Sequence, residues 1–502
     1  MKNREEYIKE VFIMRDNYIK KRTANRKTAV AVGAPVICAA IICTAALTLR
    51  IRKGEMPDGK AEELCSMVSG SGAAVKNTEN NISAAPPTAE LPEGVVAESN
   101  QETAVDKESF AEGKHETSPS GEGQKEEHYT TDLSYFESLL NDFSLKLFRE
   151  TLKNEEYGKT VLISPVYAYG LLCGSTNGVS DPIYSQMQNA LKFNTADNGL
   201  NGSYKAFIDK LTTGGRGSLS AANIMWLDSS TFRSVNQSFT DRNADYYRSK
   251  VICCAADSSS KSEINGIINE KTGGRINSVL SGESLCGAMR LISAVSFNGN
   301  HLGVSSNEID YCAAGSIDFT DISGKVKSVT AIQSDNAFAI KEENASGFIF
   351  DLNGGKYRLT AMMPNDGMSV YDYAKEFCKK SAEEISGIGA FYGAGTIKAV
   401  LPSLDSVYEG SMKKALSAMG TGEIFSSSAD FSKIGESSGA TLSDLTQKCR
   451  FSLNTDSERP ATTKSRSDSE TETVTINRPF IFMLTEKETG IPVLMGIIPQ
   501  IN

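Results

Sequence analysis

"NRPFIFMLTEKETGIPVLMGIIPQ", residues 477–500, holds two apolar runs, Phe480 to Leu484 and Ile491 to Ile498, separated by small and polar residues. Short continuous apolar runs bounded by turn residues have the pattern of strands covered on both faces. Upstream, Cys449-Arg450-Phe451-Ser452-Leu453 alternates apolar with polar and closes another strand. Between the two, residues 454–473 carry only Pro460 and Ala461 as apolar side chains. A polar loop this long between two core strands is functional or disordered.

The chain has 502 residues, 40% hydrophobic and 23% charged, with net charge −10. Length leaves room for more than one domain. The acidic balance excludes a nucleic-acid partner, which would require a basic face. Ten cysteines occur without a Cys-x-x-Cys pair, and there are three histidines. Neither a zinc site nor a disulfide scaffold has this spacing, so no metal and no cofactor is expected, and most cysteines read as small buried hydrophobes.

Three segments precede the folded part. Residues 28–49 carry no charge and as a helix would span ~33 Å, enough for a bilayer core. Residues 1–27 are a basic tail; Lys20, Lys21, Arg22, Arg26 and Lys27 outweigh Arg50, Arg52 and Lys53 on the far side. The expectation is a single-pass signal-anchor helix in the cell membrane, N-terminus cytoplasmic and the bulk of the chain extracellular. Residues 54–130 hold sixteen acidic against five basic residues and two aromatics, Phe110 and Tyr129. Such a composition predicts a disordered, extended linker.

From 131 to 502 the patterns are those of a mixed α+β domain. Leu139, Leu140, Phe143, Leu147 and Phe148 recur at helical spacing; "AANIMWLD", "RLISAVSF", "YRLTAMMP" and "IPVLMGII" read as strands. Pro165 in "LISPVYAYGLL" suits the first turn of a helix.

Enzyme signatures fail. Ser258-Ser259-Ser260-Lys261, Lys271-Thr272-Gly273 and Ser334-Asp335-Asn336 match the short motifs of penicillin-recognising serine enzymes, but in the wrong order and spacing. His301 is the one histidine of the folded part, and no Gly-x-Ser-x-Gly elbow exists. The chain is not read as an enzyme.

Taken in order, the segments of this last part resemble the serpin family of protease inhibitors. "LISPVYAYGLL" is similar to its Ser-Pro element opening helix B, and "INGIINEKTGGRINSVL" to its helix F signature. "RLISAVSFNGN" resembles the third strand of its sheet A, and "MKKALSAMGTGEIFSSSADFSKI" and the quoted C-terminal stretch resemble later family segments. The resemblance implies three β-sheets, about eight or nine helices and an exposed reactive-centre loop. It also implies a monomer that takes a serine- or cysteine-type protease as partner. The protease attacks the loop, whose N-terminal arm then enters sheet A as a new central strand.

The resemblance places the loop hinge at Ser457, Glu458, Arg459, Pro460, Ala461 and Thr462. The scissile bond is expected among Arg466, Ser467, Asp468, Ser469, Glu470 and Thr471, and the sheet-opening region at Ser164, Pro165, His301 and Gln447. The family usually has tryptophan, asparagine and histidine where His301, Ser293 and Gln447 stand, and a second serine where Tyr167 stands. In one insertion register Glu458, Pro460, Thr462, Lys464, Arg466 and Asp468 face inward, where a charge and a missing N–H are unfavourable. In the other, Ser457, Arg459, Ala461, Thr463, Ser465, Ser467 and Ser469 do, nearly all of them small. Two functions follow: a protease inhibitor displayed outside the membrane, or a serpin fold used for binding or display without inhibition.

Overall fold

A computed structural model describes residues 133–193, 199–213, 218–280, 285–299, 311–381, 384, 396–455 and 472–501. The tail, the 28–49 segment and the linker lie outside the described residues, among which no helix is long and apolar enough to cross a membrane.

Helix α1 (Leu133–Asn154) buries the apolar face predicted for it, with Leu140, Phe143, Leu147 and Phe148 in the core. After β1 (Val161–Ile163), α2 (Pro165–Thr176) begins with proline at its first turn, as expected, and all twelve of its residues are buried. A helix apolar all round belongs in the centre of a molecule. Two glycines let neighbours close on it: a Cβ on Gly170 would sit 2.1 Å from the Tyr204 hydroxyl, and one on Gly174 2.3 Å from Asn243 Oδ1. Helices α3 (Asp181–Leu191), α4 (Gly199–Thr212) and α5 (Gln237–Tyr247) surround this end.

A five-stranded sheet has the order β10-β11-β4-β2-β3. Its strands are β2 (Leu219–Asp228), β3 (Ser249–Cys254), β4 (Met289–Asn298), β10 (Leu404–Ser411) and β11 (Leu442–Leu453). Its side chains alternate: Met225, Leu227, Leu291, Val295 and Phe297 enter the main core, while Ile224, Trp226, Ile292 and Ala294 enter a smaller one. Ile264 and Ile268 of α6 (Ser258–Lys271), with Ile276, Val279 and Leu280 after it, cover that second face.

The remaining strands are β5 (Cys312–Thr320), β6 (Val326–Lys341), β7 (Ala345–Leu352), β8 (Tyr357–Pro364), β9 (Ile397–Pro402), β12 (Thr473–Thr475), β13 (Phe480–Glu486) and β14 (Pro492–Ile498). With β1 they form one hydrogen-bonded path, β1-β14-β13-β8-β7-β6-β9-β12, that turns at β6, and β5 pairs with β6 beside it. Up to Ala337 β6 pairs β9, with a register shift between Ser334 and Ala337; from Phe338 it pairs β7. An irregularity that bends a strand lets it serve two sheets. Counted on either side of this bend there are three sheets, as expected. With α7 (Val370–Phe377) and α8 (Lys413–Leu416) there are eight α-helices among the described residues.

The enzyme-like triplets fall at ordinary places in the fold. Ser334-Asp335-Asn336 sits at the β6 irregularity, Ser258 opens α6, and Thr272-Gly273 ends it, with Gly273 at φ 60°. The cysteines need a correction. Cys173, Cys378 and Cys449 are buried as expected, and burial holds the Cys378 thiol up at about 12, but Cys253 and Cys286 are exposed.

Candidate functional site: the seam of the five-stranded sheet

Between β4 and β11 the five-stranded sheet has a parallel seam of ten residue pairs, from Met289↔Leu442 to Asn298↔Ser452. Antiparallel neighbours flank it, β10 on β11 and β2 on β4. Beyond Leu453 the chain leaves this sheet and re-enters another as β12, parallel to β9. Residues 456–471 lie between. The hinge residues Ser457 to Thr462 and the scissile candidates Arg466 to Thr471 therefore lie outside the described residues, as does His301.

Both ends of this interval are fastened. The Tyr311 hydroxyl donates toward Gly299 O at 2.7 Å and Asn454 O at 3.2 Å, joining the ends of β4 and β11. Gly299 N donates to Ser452 O at 2.8 Å. At the other end Lys398 N donates to Glu472 O at 2.9 Å, and Lys341 Nζ meets the Glu472 carboxylate at 2.8 Å.

On the inner face of the seam two of the residues expected in the opening region, Ser164 and Gln447, meet together with Ser293. Ser293 and Gln447 are direct partners across it. Gln447 Oε1 accepts from Ser164 N at 2.7 Å, and its Nε2 donates to Ser164 O at 3.0 Å and to Ser293 Oγ at 3.5 Å. Ser164 Oγ, at the start of α2, is spent on Val493 O at 2.6 Å instead of capping its own helix. Ser164, Ser293 and Gln447 are all fully buried. A primary amide suits this place because it offers an acceptor and two donors without ionising. Beside it, burial pushes the Cys449 thiol and the Tyr167 phenol upward, so they stay neutral.

The outer face holds a cluster that the sequence reading did not single out. Arg290, 4% exposed, is the partner of Asp444. Its Nε and Nη2 donate to Thr446 Oγ1 at 3.1 and 2.9 Å, and Nη2 reaches Asp444 Oδ2 at 3.3 Å. Ser411 Oγ of β10 donates to Asp444 Oδ1 at 2.6 Å, and Thr446 Oγ1 to Asp444 Oδ2 at 3.1 Å. The signal was present as a lone arginine opening the apolar run "RLISAVSF", though its partner is 154 residues away.

The comparisons agree with this architecture. A family profile, Serpin (serine protease inhibitor), matches residues 138–500. The chain belongs to the serpin family. Serpin I2 of Homo sapiens is 23% identical over 278 residues, covering 52% of this chain and 67% of that protein. The native structure of the thermophilic serpin tengpin is 27% identical with a TM-score of 0.64, over 73% of this chain and 94% of its own. Native protease nexin-1 with heparin, at 19% identity, and Serpin48 of the insect Tenebrio molitor, at 20%, share the fold with TM-scores of 0.63. Each is covered completely, over 74% of this chain. In this serpin the interval between β11 and β12 holds the segment that the sequence resemblance reads as a reactive-centre loop, outside the described residues.

Proposed function

We propose that this serpin is a working protease inhibitor, a suicide substrate whose cut loop enters the five-stranded sheet between β4 and β11. The observation that carries the reading is the parallel seam itself. An arm attached to the end of β11 and folding back runs antiparallel to both β11 and β4. One parallel pairing is exchanged for two antiparallel ones, which are the stronger kind. The far side of β11 is already taken by β10, so the seam is the one place adjacent to β11 for the arm to go.

Register follows from the turn. Leu453 faces the main core, and residues directly opposite share a face. A three-residue turn, Asn454-Thr455-Asp456, pairs Leu453 with Ser457 and turns Ser457, Arg459, Ala461, Thr463, Ser465, Ser467 and Ser469 inward. A four-residue turn pairs it with Glu458 and turns Glu458 and Pro460 inward instead. Asn and Asp are favoured turn residues, and the first register buries nearly all small side chains. The second favours the alternative reading, a serpin fold for binding or display, because a central strand does not accommodate Glu458 and Pro460 there. Scission near Asp468 or Thr471 leaves an arm long enough for the ten-pair seam; scission at Arg466 leaves a shorter one that behaves as substrate.

The partner on this reading is a serine or cysteine protease. Display outside the cell membrane, held by residues 28–49 and spaced by residues 54–130, completes the proposal and rests on sequence. Incubating the full chain with a panel of proteases should give a covalent complex stable in SDS with at least one of them. Cleavage of the loop by every protease without any complex would establish the alternative. Protease added to intact cells should release the folded part and leave an anchored stub; full protection would overturn the topology.

A further inference from the structure

Strand β11 carries three charged residues, Asp444, Lys448 and Arg450, and two of them have their counter-ions on β10. Lys448 Nζ meets the Glu409 carboxylate at 3.0 Å, and Arg450 Nε and Nη2 donate to Asp405 Oδ1 and Oδ2 at 2.9 and 2.8 Å. Because β10 pairs with β11 along its length, both ion pairs stay whole when the seam on the other side of β11 parts. Asp444 is the exception. Its counter-ion, Arg290 Nη2 at 3.3 Å, stands on β4, across the seam. A strand entering there sets the two residues two strand intervals apart, ~10 Å. Asp444, 13% exposed, then keeps the hydroxyls of Ser411 and Thr446 but loses its counter-ion, which is costly for a charge so far from water.

We propose that the inserted arm brings the replacement: Arg466 takes the place of Arg290 as the partner of Asp444. The assignment rests on the insertion reading and adds to it a positioning residue that selects the register. With Leu453 opposite Ser457, nine residues back along β11 and nine forward along the arm bring Asp444 opposite Arg466. The same count sets uncharged Pro460 opposite Arg450 and uncharged Thr462 opposite Lys448, the two residues that need no new partner. On the other flank Arg290 faces Arg466 and has Asp468 diagonal to it, within reach of a long side chain. Two arginines thus alternate with two carboxylates, provided that the cut arm retains Asp468. A four-residue turn gives the reverse: Ser467 faces Asp444, which stays without a counter-ion, and Arg466 turns into the core.

The test uses the full-length chain, uncut, with a synthetic peptide of residues 456–471 offered in place of the arm. Binding is read as a Kd and as a rise in melting temperature. The parent peptide should bind. Arg466→Ala in the peptide should weaken binding about fivefold, the upper end for one cross-strand charge pair. Arg466→Lys keeps the charge without the planar fork and should lose less. Against a chain carrying Asp444→Asn, the parent and Arg466→Ala peptides should bind alike, because the partner is gone. Thr462→Ala, outward but opposite Lys448, is the control and should change nothing. The assignment is overturned if Arg466→Ala binds as well as the parent peptide, or loses as much against Asp444→Asn as against the parent chain. It is overturned also if Arg466→Ala binds more tightly, which would identify the register that buries this arginine. Should Asp444→Asn not fold, the sign of the Arg466→Ala effect on the parent chain decides alone. In all these outcomes the peptide enters and the insertion reading stands; a peptide that does not bind at all retires the insertion reading and the pairing together.

Discussion

Strands β11 and β13 are both central strands, and they are built to opposite ends. From Phe480 to Leu484, β13 is apolar and buried on both faces between antiparallel neighbours β14 and β8. Along β11, apolar residues enter the main core while Asp444, Thr446, Lys448 and Arg450 take the other face, and Gln447 interrupts even the buried row. One of its two neighbours is parallel. Buried polar groups are the informative exceptions in a core. Here they collect along one seam and pair across it, so the sheet that parts on the proposed reading carries polar pairs at its seam, while β13 is held by apolar packing on both faces.

Perturbing each region should separate them by size and by kind. Leu494 in β14 is fully buried, and Leu494→Ala should cost about 2–5 kcal/mol, seen as a lower midpoint in denaturant unfolding of the full chain. A loss under 1 kcal/mol would mean that this sheet is not the packed frame argued for. Gln447→Ala should cost less, about 1–3 kcal/mol, by leaving the buried N–H of Ser164 without its acceptor, while Ser164 O keeps the Ala168 N–H.

Gln447→His makes the same site pH-dependent. The neutral ring can accept from Ser164 N and donate to Ser164 O, but the protonated ring loses its acceptor and buries a charge. The folded state then binds fewer protons than the unfolded one, whose histidine titrates near ~6.5. Stability of this variant should therefore fall as pH drops below that value, while the parent, with glutamine there, shows no such step from this site. A pH-independent variant would place residue 447 outside the buried network. The smallest effect belongs to the surface: Arg233 and Glu436, 76% and 65% exposed, form an ion pair whose removal by Arg233→Ala should leave the midpoint unchanged.

Much of the frame was legible because its signals are local. Two-residue alternation over Cys449–Leu453 marked the end of β11, continuous apolar runs marked β13 and β14, and Pro165 marked the start of α2. Ser164 and Gln447 were legible only through the family resemblance, since 283 residues separate the two partners. The Arg290 cluster stayed hidden for the same physical reason: an arginine beginning an apolar run reads as a strand end until the sheet supplies Asp444 beside it. Cys253 and Cys286 misled because burial is a tendency of the residue type, whereas β3 is an edge strand whose residues 250 and 253 face outward. The double role of β6 was invisible as well, its bend being a matter of which partners flank it.

The central claim is that the parallel seam accepts the loop as a strand. Thermal unfolding of the full chain before and after a single protease cut within residues 456–471 tests it most directly. The cut chain should melt about 10 °C or more above the intact one, several kcal/mol in a domain of this size, because the freed arm completes two antiparallel pairings. Replacing Ala461 with Glu, inward in the register proposed, should abolish that gain. An unchanged midpoint on cutting would contradict insertion and leave this serpin as a fold that presents its loop without using it.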